Sequence, residues 1–476
     1  MKGRFGRRGL MPIAAVLCAL LGGCASTVSE SPASRSATTS VAGPTTPNGL
    51  AAAIQIDNVM THLRALQTIA DRHDGNRASG TAGYDASVDY VAGKLKDAGF
   101  TVTTPTFDYP RFDAGPVRLT ADGQAVDARI AQYSAGTGDT PVTGPPVTAG
   151  DLGCSTTDYP PATRGAIAVA TRGTCQFVIK ARAAADAGAT ALIIVNNENG
   201  PLDGATLGLD NGVPIPVIGV TTADGDRLRS AASVSLAVQA QTRQITSRNV
   251  IAQTRTGDPD HVLLTGAHLD SVEAGPGIND NGSGTAAVLE TALRLGSAPQ
   301  TRRTIRFAFW GGEEDGLVGS SKYVESLDAG ARTTIDLYLN FDMLGSPNGG
   351  YFVYDGDNSD KVGAGPGPRG SAEIEQTFLR YFGNRRITAQ GSDFDGRSDY
   401  GPFIEIGVPS GGVDTGAEAQ KSAAQAQLWG GQAGVAFDPN YHRAGDTVAN
   451  INPALLATTA PAVAYSVATY ASSNLG

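Results

Sequence analysis

The chain has 476 residues, an ordinary apolar share of 41% and a formal net charge of -10, which suggests two or three domains around conventional cores. It has no basic stripe, and this argues against nucleic acid as a main partner. The acidity favours solubility and leaves the fold open.

The first segment in chain order reads as an address. Lys2, Arg4, Arg7 and Arg8 make a basic start, and "LMPIAAVLCALL" follows, an apolar run shorter than the ~20 residues needed to span a bilayer. It closes with "LGGC" at Cys24, which resembles a bacterial lipobox. That implies removal of residues 1–23 as a signal peptide and lipidation of Cys24. The expected product is an exported bacterial lipoprotein, held by Cys24 at the outer face of the cell membrane. "RRGL" also matches the arginine pair of a twin-arginine export signal. Residues 24–49 are Ser, Thr, Ala and Pro with few large apolar side chains. Such a stretch cannot offset its ordering entropy by burial, and it is expected to be a flexible tether. Of the 4 cysteines, Cys18 and Cys24 belong to the leader. Cys154 and Cys175 remain, an even pair in an exported protein, and a disulfide between them is expected.

From Leu50 the apolar spacing predicts two helices, over "NVMTHLRALQTIA" and "GTAGYDASVDYVAGKLKDAG", with Gly99 as a stop, and then a strand over "FTVTTPTF". From 113 to 242 the texture changes to Gly, Pro and Thr. "GAIAVATRG" and "TALIIVNN" read as strands around an Ala-rich helix, "IKARAAADAGA", and "IPVIGVTTADGDRL" as a further strand entering a helix. Beyond Thr242, "RNVIAQTR", "HVLLTGAH", "TIRFAFWGGEE" and "DLYLNFDMLG" read as strands, with helices over "GTAAVLETALRL" and "VGSSKYVESL". This alternation predicts an α/β fold, a mixed and mostly parallel sheet flanked by helices. The region 113–242 then reads as an insertion.

The strand ends carry the chemistry. His268 and then Asp270 follow "HVLLTGA", Glu313 and Glu314 follow "TIRFAFWGG", and Asp342 closes "DLYLNFD". Ligand sites of open α/β sheets lie beyond the carboxyl ends of the strands, so these residues are expected on one rim. Asp280 sits in the Gly-rich turn "GINDNGSG", and His442 sits late in the chain in "FDPNYHRAGDT". Two His and three carboxylates suit zinc. Five ligands exceed one open site and fit two Zn2+ per chain if one carboxylate bridges. Glu313, beside a ligand, is then free to act as a general base. Asp270 is placed to accept the other imidazole N–H of His268. His62, His73 and His261 read as ordinary polar or buried histidines.

"GAHLDS", "GINDNGSG", "WGGEEDGLVGS", "NFDMLG" and "YHRAGDT" together resemble the motifs of the secreted di-zinc aminopeptidases. The resemblance implies a zinc-exopeptidase fold over 50–112 and 243–476. It implies that Asp280 bridges two zincs, that His268 and Asp342 hold one and that Glu314 and His442 hold the other. Glu313 is then the base, Asp270 orients His268, and Tyr441 hydrogen-bonds the developing oxyanion. "GRSDYGPF" resembles the pocket segment of that family, so Arg397, Ser398, Asp399 and Phe403 are candidates for substrate contact. Tyr400 stands where relatives often have His. Many relatives staple the Tyr-His loop with two cysteines; Asn440 and Gly445 stand there in this chain. The region 113–242 resembles a protease-associated domain, β-rich α/β in class, of the kind inserted in several of these enzymes.

The activity implied is removal of N-terminal residues from peptides that have a free N-terminus. A carboxypeptidase of the same fold, a one-zinc glutaminyl cyclase and a lipid-tethered peptide-binding protein without catalysis are the alternatives. Oligomeric state stays open, with a monomer as the default.

Overall fold

A computed structural model describes residues 43–361 and 363–473. The expected signal peptide, Cys24 and most of the expected tether lie outside those residues. Residues 43–49, the last part of the expected tether 24–49, belong to the fold. Gly43 N–H donates to the Leu295 carbonyl at 3.0 Å, and the Thr46 side chain caps a helix over Pro47–Ala53. Leu50 and Ile54 are the reason: both are buried, on a segment packed against the helix Pro453–Ser472. Among the described residues no helix is long and apolar enough to cross a membrane.

An 8-stranded sheet forms the larger part. Its spatial order is Thr101–Thr103, Val250–Gln253, Arg303–Trp310, Asp258–His268, Ile335–Phe341, Ser410–Asp414, Phe352–Tyr354 and Gln390–Ser392. The four strands from Arg303–Trp310 to Ser410–Asp414 run parallel to one another. Apart from the exposed start of Asp258–His268 they are almost wholly buried, as expected of strands covered on both faces. One core packs the N-terminal helices, the helix Gly284–Leu295 and the helix Pro453–Ser472 on one face. A second core, around Trp310, Tyr338 and Phe403, lies on the other.

The helix Ala82–Asp97 begins where the Thr81 side chain accepts the Tyr84 N–H. It stops before Gly99, whose φ of +84° is a conformation glycine adopts without a Cβ penalty. The strand expected over 100–107 is two strands. The second, Thr106–Ala121, runs far past that limit and pairs antiparallel with Val234–Arg248 along its length. The sequence does not show this ribbon as one unit because its middle, around 114–116 and 241–244, is exposed and interrupts the apolar alternation. The change of texture at 112/113 and 242/243 falls at facing positions of the ribbon, Phe112 opposite Thr242 and Asp113 opposite Gln241.

The ribbon leads into a smaller unit. There a 5-stranded sheet, ordered Arg129–Ile130, Val217–Val220, Ala191–Val195, Ile167–Thr171, Pro146–Thr148, is parallel except at its first strand. It has its own two cores. Cys154 and Cys175 form the expected disulfide.

The root of the ribbon grips the loops beyond the large sheet. The Tyr109 hydroxyl donates to Asp315, next to Glu313 and Glu314. Arg111, which is buried, donates to Glu273 in the loop after His268.

Candidate metal centre

Parallel register brings the chemistry together. His268 pairs with Trp310, and Gly266 with Asn340. The chain therefore leaves three adjacent strands at one level, delivering His268, Glu313–Glu314 and Asp342 to the same rim. The two remaining candidates come from loops. Asp280 lies in the turn Ile278–Ser283, whose Asp280–Asn281 peptide is cis. His442 lies in the loop before the last helix, at a φ of +56°.

The distances define two sets that share one carboxylate. His268 Nε2 lies 3.2 Å from Asp280 Oδ1 and 3.4 Å from Asp342 Oδ1. His442 Nε2 lies 3.2 Å from Asp280 Oδ2 and 2.9 Å from Glu314 Oε2. One oxygen of Asp280 thus faces each imidazole. Glu313 Oε2 stands farther from His268 Nε2, at 3.9 Å, beside the set.

Charge balance tests whether these residues fit metal ions. Asp270, Asp280, Glu313, Glu314, Asp342 and Asp399 crowd around two imidazoles. Burial pushes the Glu313 carboxyl well above its usual range, and Asp399, Glu314 and Asp342 add repulsion that His268 only partly offsets. Burial also carries Glu314 up to about 8, with repulsion from Asp280. Asp280 goes the other way. Burial would raise it, but the hydrogen bonds to His268 and His442 win and hold it down. Burial works against a charged His442, yet its contacts with Asp280 and Glu314 carry it up to about 10. Glu314 Oε1 and Asp342 Oδ1 are buried without a hydrogen-bond partner. Orphaned carboxylate oxygens beside imidazole nitrogens, in a surplus of negative charge, fit divalent cations of the N/O-binding kind.

The surrounding contacts hold these groups in place. The carbonyl of Asp270, at 3.2 Å, meets His268 Nδ1. The Asp270 carboxylate was the expected acceptor, but it stands 3.8 Å from that nitrogen. It receives instead the backbone N–H groups of Glu313 and Glu314 at 3.3 and 3.4 Å. Asp270 therefore ties the Glu-Glu loop to the histidine strand. The reason is chain direction: two residues past the strand end the side chain has turned toward the neighbouring strand's exit.

Several supports were not singled out in the sequence. Asp446, within the quoted "YHRAGDT", accepts the N–H groups of Asn279 and Asp280 at 2.8 and 3.0 Å. The Asn281 side chain joins the Asp280 turn to the Phe341 carbonyl at 2.9 Å. Arg77 is fully buried and donates to the carbonyls of Leu269, Pro276 and Gly277. Asn and Asp in Gly-rich motifs were the available signal for the first two. Arg77 is distant in sequence and carried no signal.

The loop of Tyr441 and His442 lacks the family's cysteine staple and has a polar one. Asp438 accepts the Asn440 N–H at 2.9 Å and the Asn279 side chain at 2.7 Å, and it is bridged on both oxygens by Asn450. Asn440 and Gly445 remain neighbours, since a Cβ on Gly445 would collide with Asn440 Oδ1. The Tyr441 and His442 rings stack at 3.8 Å. Burial, then the carboxylates of Asp280 and Glu314, raise the Tyr441 hydroxyl pKa and keep it a donor.

A cavity of about 380 Å³ opens in front of the clusters, and Arg397 and Ser398 line it. Ser398 Oγ donates to Asp342 Oδ2 at 2.7 Å. Asp399 and Phe403, expected to touch substrate, do not line the cavity and are fully buried. The short helix Gly401–Glu405 turns Phe403 inward to stack on Tyr338 at 4.2 Å. Tyr400 does line it, and its hydroxyl donates to Asp395 at 2.9 Å. The other histidines stay away from the rim. His62 meets Tyr90 at 2.7 Å and Glu290 at 3.4 Å, His73 ends the helix Ile56–Arg72, and His261 pairs with Asp336 at 3.1 Å.

The fold and the shared-carboxylate clusters define an α/β protein with a candidate metal centre on its sheet rim and a second unit inserted upstream. The chain belongs to peptidase family M28, whose model matches residues 249–467. A PA domain model matches residues 142–228, within the inserted unit. The chain is 50% identical over 426 residues, 88% of its length, to the probable lipoprotein aminopeptidase LpqL of Mycobacterium tuberculosis (strain ATCC 25618 / H37Rv), covering 85% of that protein. Among solved structures it resembles the aminopeptidase of Aneurinibacillus sp. strain AM-1, with a TM-score of 0.68 and 26% identity, covering 90% of this chain and 97% of that one. It also resembles BSAP, a zinc aminopeptidase from Bacillus subtilis, with a TM-score of 0.61 and 27% identity over 88% of this chain and 96% of that one.

Proposed function

We propose that this protein is a zinc-dependent aminopeptidase that removes N-terminal residues from peptides. The observation that carries the reading is Asp280, with one oxygen 3.2 Å from each of the two imidazoles. His268 and Asp342 would hold one zinc, Glu314 and His442 the other, and Asp280 would bridge them. Two zincs there would polarise the scissile carbonyl and lower the pKa of the attacking water.

The side chains of the protein do the remaining work. Glu313 stands beside the ligand set and takes the proton of the attacking water. It then hands that proton to the leaving amine. Tyr441 donates its hydroxyl to the oxyanion as charge develops there. Asp270 holds the backbone of Glu313 and Glu314 in position, so the base and its neighbouring ligand stay in fixed relation. Acidic side chains near the metals would hold the free ammonium of the substrate. Arg397, which a carboxypeptidase would need for a substrate carboxylate, is paired with Glu418 at 3.0 Å.

The leader implies an exported lipoprotein anchored by Cys24 at the outer face of the membrane, in keeping with the named lipoprotein relative. The inserted domain would then sit beside the substrate entrance, on the ribbon that grips Asp315.

A panel of aminoacyl-p-nitroanilides, run beside N-acetylated controls with bound metal counted, tests this. The expected result is release from free-amine substrates alone, with two zincs per chain and complete loss of release on chelation. Cleavage of acetylated substrates, or no metal, would sink it.

A further inference from the structure

Along the rim away from His268, the strand order places Ile335–Phe341, then Ser410–Asp414, then Phe352–Tyr354 and Gln390–Ser392. The cavity follows this order. It passes from Asp342 to Asp414, Tyr354 and Ser392, and then to Asp393 and Asp395 in the next loop. Away from the metal clusters it is therefore walled by three carboxylates. Two of these have partners. Asp393 accepts the Ala364 N–H at 2.9 Å, and Asp395 accepts the Arg397 N–H at 3.0 Å and the Tyr400 hydroxyl at 2.9 Å.

Asp414 is different. Its Oδ1 accepts the Gly416 N–H at 3.0 Å, while its Oδ2 is buried with no hydrogen-bond partner. Burial pushes its carboxyl up to about 6, against the pull of the neighbouring Ser392 hydroxyl and the Gly416 N–H. The guanidinium that lines the cavity, Arg397, is exposed and committed to Glu418. Leu317, Met343 and Tyr354 also line the cavity and supply apolar wall.

We propose that this part of the cavity receives the side chain of the substrate's N-terminal residue and selects lysine or arginine, with Asp414 as the residue that reads the charge. The inference rests on the aminopeptidase reading above. A long aliphatic stem fits an apolar wall while its cationic head reaches a carboxylate. An ammonium or guanidinium gives the buried Oδ2 a close, charged partner. A leucine in the same place would cover that oxygen and leave it unpaired, a desolvation cost that works against neutral side chains.

The test uses the zinc-loaded protein and its kcat/KM for lysyl-, arginyl-, norleucyl- and leucyl-p-nitroanilide. Norleucine matches the lysine stem without the charge. The wild-type ratio of lysyl to norleucyl substrate is expected at about tenfold or more. It should fall toward one in Asp414→Asn and below one in Asp414→Leu. Each ratio is internal to one preparation, so a partly folded variant does not disturb it. A wild-type ratio at or below one, or a ratio that both variants leave unchanged, overturns the pocket while the aminopeptidase stands. Failure to cleave any of the four substrates overturns the aminopeptidase reading and this inference with it.

Discussion

The strand Asp258–His268 carries His261 near its start and His268 at its end, and both histidines meet carboxylates. At the start, His261 is 60% exposed and pairs with Asp336 at 3.1 Å. Arg303 reaches the same Asp336 and also the carbonyls of Tyr470 and Ser473. A protein cation answers the carboxylate there, and no oxygen of Asp336 is left orphaned among the described residues. At the end, His268 is 1% exposed and faces Asp280, Glu313 and Asp342, and among the described residues no arginine or lysine pairs with any of them. The same residue types thus give a closed, mostly buried ion-pair group at one end and an open coordination set at the other. The burial of His268 and the absence of an internal counter-charge make the difference.

The largest expected effect is at the rim. Glu313→Gln should lower kcat about a thousandfold, with two zincs still counted in the purified protein. A variant that keeps wild-type turnover would remove Glu313 from the role of base. The next effect belongs to the opposite end. Arg303→Met leaves Asp336 with only an exposed histidine, and removing one partner of a mostly buried pair costs about 3 kcal/mol. Denaturant unfolding should show that loss, with kcat/KM near wild type. An unchanged unfolding midpoint would mean that His261 and solvent suffice. The smallest effect is His261→Ala, within about 0.5 kcal/mol of wild type and without change in metal content. A lost metal there would erase the contrast between the two ends.

Much of the rim was legible in the sequence because strand ends are. A buried parallel strand is a continuous apolar run, and the first polar residue after it marks the exit. "HVLLTGAH", "TIRFAFWGGEE" and "DLYLNFD" each show that break. The turn of Asp280 was legible through its glycines. The long ribbon 106–121 with 234–248 was not, since a two-stranded arm half in solvent has no uniform hydrophobic period. The helix Pro453–Ser472 was passed over although it closes the core of the large sheet.

The pocket was read least well. Arg397, Ser398, Asp399 and Phe403 lie in one short segment, yet Arg397 and Ser398 face the cavity and Asp399 and Phe403 are buried. The segment enters a helix of one turn, where adjacent side chains point in different directions. Asp414 carried no signal, being one aspartate at the end of the Gly-rich strand "SGGVD".

The sequence by itself determined the fold class, the disulfide pair and the residue types of the metal centre. Each of these is written locally, in apolar periodicity, cysteine count and the polar residues that follow strands. Only the tertiary structure decided which oxygen of Asp280 faces which histidine, that Asp270 offers its carbonyl to His268 and its carboxylate to the Glu313–Glu314 loop, and that Asp414 joins the pocket. Those outcomes depend on strand order and register, which set side chains from distant segments within a few ångströms of one another and leave no trace in any one stretch of chain.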